Sequence, residues 1–437
     1  MSAPHQGLVV AHGHFYQPPR ENPWTGQVDA EPNAAPDHDW NVRITRESYE
    51  PLIPVYEHLS FDFGPTLLDW MEREAPAVYR AVLRSDHGNA LASPYHHIIL
   101  PLASRRDKET EVRWGIDDFK RRFGRMPAGF WLPETAVDME TLNVVAAAGI
   151  QFTVLAPHQI SKAPEHGLPA RIALRQGRSI AVFVYDGGLS HGVAFGGLTT
   201  DANRFSAALE QTPPGALASI AVDGETFGHH HKGGDTTLAT VLERLRQSDK
   251  VAVTDFAAAL RAHPPATTVD LVEPTSWSCS HGIERWRAAC GCRIHFDRPS
   301  QQEWRAPLRA AVDWLAGEIH SLYEREGRDL PGGPWAFRDA AGASGPVAGN
   351  EHAERLIEME RGVLRAMTSC GWFFDDFAGL EGRQVLRYAA HAIALAGSAS
   401  GRLEAGFIEQ LGDARSNDPA AGSAADVFRQ LLQPAPS

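Results

Sequence analysis

The strongest constraint on this chain is a repeated junction. A short apolar run ends in a polar residue of a type that can do chemistry, and a helical pattern follows. Gly7 to Ala11 runs into His12-Gly13-His14, and Gly129-Phe130-Trp131-Leu132 runs into Pro133-Glu134. Phe152 to Leu155 is another run. Ser179 to Tyr185 ends at Asp186, Ser219 to Val222 ends at Asp223-Gly224-Glu225, and Val251 to Val253 ends at Thr254-Asp255. Continuous apolar runs of this length suit strands buried on both faces. Between them Leu67, Trp70, Met71 and Glu74 to Leu83, then Val112, Ile116, Phe119 and Phe123, then Met139 to Ala148, then Leu238, Val241, Leu242 and Leu245 carry helical spacing. Strand-helix alternation implies an α/β fold on a parallel sheet, closed into a barrel or doubly wound. The closed form is favoured, because barrel strand ends converge on one face, where catalytic groups collect. A doubly wound sheet would carry a glycine-rich phosphate loop after its first strand, and His12-Gly13-His14-Phe15-Tyr16-Gln17-Pro18-Pro19 is not one.

The pattern changes after about Ala262, where His263-Pro264-Pro265 interrupts it. Glu303 to Glu326, Glu351 to Cys370 and Arg383 to Ala396 read as helices separated by loops such as Leu330 to Gly349. The expected organisation is a catalytic barrel over residues 1–262 and a mainly helical region over 263–437 that contributes to the substrate cleft. Asn417 to Ser437, rich in Ala, Gly, Ser and Pro, is expected to fray. A net charge of −13 without a basic run disfavours nucleic acid and anionic lipid as partners. No stretch is apolar and long enough to span a bilayer. The first residues lack a secretory pattern, and four cysteines in 437 residues make no disulfide scaffold, so a cytoplasmic enzyme is expected.

Five constellations could carry chemistry. In the first, His12 and His14 share one side of an extended segment and Gln17 follows. Paired imidazoles can bind a metal, or hydrogen-bond a carboxylate and a sugar hydroxyl; loop histidines that only satisfy backbone groups are the bland alternative. In the second, Glu134 stands beside Trp131. An indole face can cover a pyranose ring while a carboxylate attacks the anomeric carbon. The competing reading is a helix-capping acid, a role open equally to Thr135 or Asp138. In the third, Asp223 and Glu225 flank a glycine ahead of His229-His230-His231. Asp223 could protonate a leaving oxygen, and with Glu134 it would form the two-carboxylate pair of glycoside hydrolysis. A metal site and an exposed polar loop are the alternatives. The fourth holds Trp277, Cys279, His281, Trp286, Cys290 and Cys292. Zinc favours such donors, but the familiar Cys-x2-Cys pairs are absent, so a structural metal on Cys279, His281, Cys290 and Cys292 stays open, beside free buried cysteine. The two tryptophans are sugar platforms or core. In the fifth, Cys370-Gly371-Trp372-Phe373-Phe374-Asp375-Asp376-Phe377, an inter-helix core is favoured over a lid of aromatics at a barrel mouth.

Taken in order, these segments resemble glycoside hydrolase family 57, a family of α-amylases, 4-α-glucanotransferases and branching enzymes. Its H-x-H region is similar to His12-Gly13-His14, and its second region to Ser93 through Leu102, which brings in His97. Its W-L-x-E region is similar to Trp131-Leu132-Pro133-Glu134, and its D-x-E-x-F-G-H region to Asp223 through His229. Trp277 to Trp286 stands where the variable fifth region would. In some members an acid lies upstream of the second region; Asn89 is near that place here.

The resemblance implies an incomplete (β/α)7 barrel followed by helices, a retaining reaction on α-glucans, Glu134 as nucleophile and Asp223 as acid/base. It implies no cofactor and no catalytic metal. The substrate-binding set is then His12, His14, Gln17, His97, Trp131, Glu225, His229, Trp277, His281, Trp286 and Trp372, with His12 and His14 orienting Glu134 and the sugar. Two rival readings remain. One is a metal-dependent polysaccharide hydrolase or deacetylase using His12, His14, Asp223 and His229. The other is a carbohydrate binder on a degenerate barrel, which would need neither Glu134 nor Asp223.

Overall fold

The computed structural model describes residues 6–297, 299–347 and 351–432. The chain forms two compact units, and neither is one stretch of sequence. The first holds the residues up to Gln17, Ala30–Pro94 and Gly115–Trp277; the second holds Pro18–Asp29, Tyr95–Trp114 and the residues from Ser278 onward. The division therefore differs from a single break near residue 262.

In the first unit β1 (Gly7–Phe15) is buried along its whole length. It pairs in parallel with β7 (Leu217–Asp223) on one edge. Its other edge is shared, by β2 (Ser60–Phe63) at one end and β8 (Val251–Val253) at the other. β2 pairs in parallel with β3 (Ala90–Leu91). Single parallel bridges, Ala92 to Phe130 and Gly129 to Phe152, then lead into β4 (Phe152–Leu155). β4 pairs in parallel with β6 (Ser179–Val184), whose opposite edge carries the antiparallel β5 (Ala170–Ala173). The Asp186 N–H donates to the Ser219 carbonyl at 2.7 Å, which joins the end of β6 to β7. Seven parallel segments thus follow one another in a ring, loosely joined at Gly129–Phe130 and at Asp186, as an incomplete barrel should be.

Leu8, Val10, Leu91, Trp131, Phe152, Val154, Phe183, Leu217, Ala221 and Phe256 belong to one buried cluster. Side chains of a strand alternate between faces. His12 and His14 therefore continue the face of Leu8 and Val10, and Asp223 continues that of Ala221. One expected helix proves to be two, Pro65–Glu74 and Pro76–Arg84. Pro76 has no N–H to extend the first helix but fits the first turn of the second.

The second unit is mainly helical, with helices Arg305–Glu326, Glu351–Arg365, Leu380–Ala394 and Ser400–Leu411. Arg338, fully buried, donates to Asp107 at 2.9 Å and to Glu360 at 2.8 Å, so its charge is compensated inside the unit. Pro334–Ala341 is a helix inside what reads as a loop, and Ala424–Leu432 is a helix anchored by buried Val427 and Phe428 where fraying was expected. Residues 433–437 lie outside the described ones.

Candidate active site

Strand register builds the site. Asp62 on β2, His14 on β1 and Asp223 on β7 are partners in adjacent strands, so they stand in one row at the same level. Asp62 is fully buried. One of its oxygens meets His14 Nδ1 at 2.8 Å and the other meets His12 Nε2 at 3.2 Å. His12 Nδ1 lies 3.2 Å from Ser60 Oγ. Both imidazoles stack on Trp131, with ring centroids 4.7 and 5.1 Å away. Burial lowers the His12 pKa against the pull of Asp62. For His14 burial acts in the same direction but is overridden by Asp62, helped by Asp223 and Glu225, and its pKa rises to about 9. Asp62 resists its own burial because His14 and His12 hold its pKa below the usual carboxylate value. The row therefore carries a charged imidazolium-carboxylate pair at neutral pH.

Glu134 follows the Gly129–Phe130 segment on a strained turn. Glu134 and Thr135 both have positive φ, 57° and 49°. Such backbone costs on the order of 1 kcal/mol per residue without glycine. Hydrogen bonds hold it: Thr135 N–H to Leu132, Gln159 Nε2 to the Thr135 carbonyl, and Trp277 N–H to the Glu134 carbonyl at 3.0 Å. The Trp277 indole N–H also donates to Glu134 Oε2 at 3.1 Å. Asp223 is an exposed residue at the end of β7, with its carboxyl group set among protein atoms. Burial, the charge of Glu134 and that of Asp62 outweigh the opposing His14, and its pKa rises to about 6.

Other strand-end acids are caps. Asp138 accepts from Thr141 N–H, Asp186 from Leu189 N–H and Asp255 from Ala258 N–H, each at a helix start. Since Asp138 caps the helix after Glu134, Glu134 does not serve as that cap. Glu225, next but one to Asp223, is buried and accepts from Tyr49 Oη at 2.5 Å and from Tyr16 N–H at 3.2 Å. Between the two acids a Cβ on Gly224 would lie 2.1 Å from the Phe15 ring, so the turn closes tightly on β1.

Several expected substrate contacts are otherwise engaged. Trp131 is fully buried under the two histidines and has no face for a sugar. Glu225 ties the Asp223 turn to Tyr49. His229 pairs with Glu47 at 2.7 Å, as does Lys232. Both His12 nitrogens are bonded, so His12 offers no free nitrogen to a metal-ligand set with His14, Asp223 and His229. Gln17 and Trp277 are half-buried in the first unit. His97, Trp286 and Trp372 are buried residues of the second unit, His97 Nδ1 lying 2.8 Å from Ser369 Oγ. His281, also of the second unit, is exposed beside three cysteines. In the fifth constellation Trp372 and Phe377 are core, and Asp375 accepts from the Ile294 and His295 N–H groups. Asn89 is buried and donates to the Tyr56 and Leu59 carbonyls.

Sequence reasoning missed three residues. Asp62 sits inside Ser60-Phe61-Asp62-Phe63, a run too short to stand out, yet it obeys the same strand-end rule. Tyr49 lies in a helical turn with no pattern to mark it. Tyr185, at 6.4 Å from the Trp277 ring and close enough to Asp223 for that charge to help burial raise its pKa to about 12, is marked in the sequence only as the end of a strand.

The model of glycosyl hydrolase family 57 matches residues 16–271, more than half of the sequence. The chain belongs to glycoside hydrolase family 57. A second model, described as a domain of unknown function (DUF3536), matches residues 301–343 and 347–437. Alpha-amylase 1 of Dictyoglomus thermophilum is 26% identical over 121 residues, 26% of this chain and 18% of that protein. A 4-alpha-glucanotransferase of Thermococcus litoralis is 22% identical over 192 residues, 41% of this chain and 29% of that protein. The chain thus spans less than a third of these two curated relatives. The crystal structure of an exo-type maltose-forming amylase from Pyrococcus sp. ST04 aligns with a TM-score of 0.77 at 15% identity, over 98% of this chain and 88% of that one. At that identity the likeness is one of fold, and it extends to the α/β barrel and the helical region of this family 57 chain. Among the described residues no helix is long and apolar enough to cross a membrane.

Proposed function

We propose that this family 57 chain is a retaining hydrolase or transglycosylase of α-glucans, with Glu134 as nucleophile and Asp223 as acid/base. The observation that carries the reading is the unequal treatment of two acids in one unit. Trp277 fixes the Glu134 carboxylate by an indole hydrogen bond, while burial and the Glu134 charge raise Asp223 to about 6, so that it can hold a proton close to neutral pH.

The steps follow from that inequality. Glu134 attacks the anomeric carbon as Asp223 gives its proton to the departing glycosidic oxygen, and a covalent glycosyl-enzyme forms. Asp223, now a carboxylate, takes a proton from water or from a sugar hydroxyl, whose oxygen displaces Glu134. Water as acceptor gives hydrolysis and sugar gives transfer. Asp62 holds His14 charged beside Asp223, and both act as positioning residues. Half-buried Gln17 and Trp277 are the proposed sugar contacts. The α-glucan class is supported by the named activities of the relatives. A cytoplasmic setting is supported by the absence of disulfides among the described cysteines.

Product analysis on a panel of α-glucans, with and without acceptor sugar, tests the reading. New α-glucan products from the parent and none from Glu134→Gln are expected. Equal turnover by both, or no action on any α-glucan, would refute it.

A further inference from the structure

Cys279, His281, Cys290 and Cys292, all in the second unit, bring their donor atoms within 4.8 Å of one another. We propose that these four side chains hold a structural zinc ion. Zinc–sulfur bonds of about 2.3 Å and a zinc–nitrogen bond of about 2.05 Å in a tetrahedron require edges of about 3.8 Å between sulfurs and about 3.5 Å from sulfur to nitrogen. Cys279 Sγ lies 3.9 Å from Cys290 Sγ and 3.7 Å from Cys292 Sγ, and Cys292 Sγ lies 3.6 Å from His281 Nδ1. A disulfide would bring two sulfurs to about 2.05 Å, and none of the four cysteines is so paired. Three thiolates with an imidazole are the soft, tetrahedral donor set that suits zinc.

The surroundings fit a closed site. Backbone N–H groups of His281 and Arg285 point at Cys279 Sγ, and that of Ser280 at Cys292 Sγ. Three thiolates around a divalent ion leave one negative charge. Two buried arginines stand next to it. Arg305 donates to the Cys292 carbonyl at 2.9 Å and Arg285 to the Ser278 carbonyl at 3.2 Å. Such outer contacts orient ligands and balance their charge.

A cross-link would also add to the few anchors of the chain here, such as the Asp375 bonds to Ile294 and His295. Among the described residues from Ser278 to Trp304, the regular structure is one short turn, Glu284–Trp286. Irregular stretches of this length are uncommon in compact units unless tied down. An ion on Cys279, His281, Cys290 and Cys292 closes residues 279–292 of this stretch into a loop, with two ligands at each end of that loop. With four protein ligands no position is left for substrate, so the ion is structural. Residues 272–300, which contain the whole site, lie outside both family models.

The test uses the full chain, purified without metal-chelating resin and analysed by plasma mass spectrometry. About one zinc per chain is expected, retained after dialysis. Cys290→Ser with Cys292→Ser should lose at least nine-tenths of it, whereas Cys370→Ser should keep it. Reduced, zinc-stripped wild type should bind one Co2+ with the strong visible absorption of tetrahedral thiolate coordination, and zinc should displace it. Because these wild-type readings need no variant to fold, misfolding of the double variant leaves the proposal testable. Less than about a tenth of a zinc per chain before and after incubation of reduced protein with zinc would overturn it. So would zinc retained by the double variant, or a disulfide among these cysteines in protein never exposed to oxidant.

Discussion

Asp62→Asn keeps the side chain's size and removes the charge that sustains His14. His14 is 4% exposed, so burial alone would push its imidazole below the ordinary 6.5; Asp62 at 2.8 Å lifts it to about 9 instead. That rise corresponds to about 3 kcal/mol of preference for the imidazolium in the folded chain. Because the folded pKa lies above the unfolded one, this stabilisation is whole below about pH 6.5 and disappears as pH rises through about 9. The variant should therefore be less stable than the parent by about 3 kcal/mol near pH 6 from this pair, and by almost nothing from it near pH 10. The lost His12 bond adds an offset. Urea unfolding of parent and variant at the two pH values measures the gap. NMR of 15N-labelled imidazole measures the His14 midpoint, expected to fall from about 9 to below 6.5. A gap that does not narrow with pH, or a midpoint that stays above about 8 in the variant, would refute the reasoning.

The remaining predictions concern the acids. With Asp223 at about 6, kcat/KM should fall as pH rises through that value, since the proton donor is lost; a flat profile between about pH 5 and pH 8 would remove Asp223 as the acid. Asp223→Asn should be spared most on substrates with activated leaving groups, and azide should rescue its second step. Equal loss on good and poor leaving groups would sink the role. Gly224→Ala places a methyl 2.1 Å from the Phe15 ring, so it should shift the Asp223 turn and lower kcat at least tenfold, as steady-state kinetics would show; unchanged kcat would mean the turn has room to move.

Much of the fold was legible because buried parallel strands are continuous apolar runs, and β4 and β8 match Phe152 to Leu155 and Val251 to Val253. β2 and β5 were not, since Asp62 and Arg171 interrupt their apolar runs, and the two residues of β3 carry too little pattern. Gly129 to Leu132 reads as a strand but makes single bridges. Glu134 and Asp223 were legible as candidates from their strand ends. Chain position did not separate them from Asp186 and Asp255, which cap helices; hydrogen bonds did. Trp131, Trp286 and Trp372 show the opposite limit. An indole serves equally as sugar platform or core, and only burial tells which.

The central claim is that Glu134 forms a covalent bond to the sugar. The most direct measurement incubates the full chain with a maltosyl fluoride carrying a second fluorine at C5 of the reacting ring, which slows breakdown of the intermediate, and maps the product by peptide mass spectrometry. One maltosyl group on the peptide containing Glu134, absent in Glu134→Gln, is the expected result. A label on any other residue, or turnover of the probe with inversion at the anomeric carbon, would contradict the account.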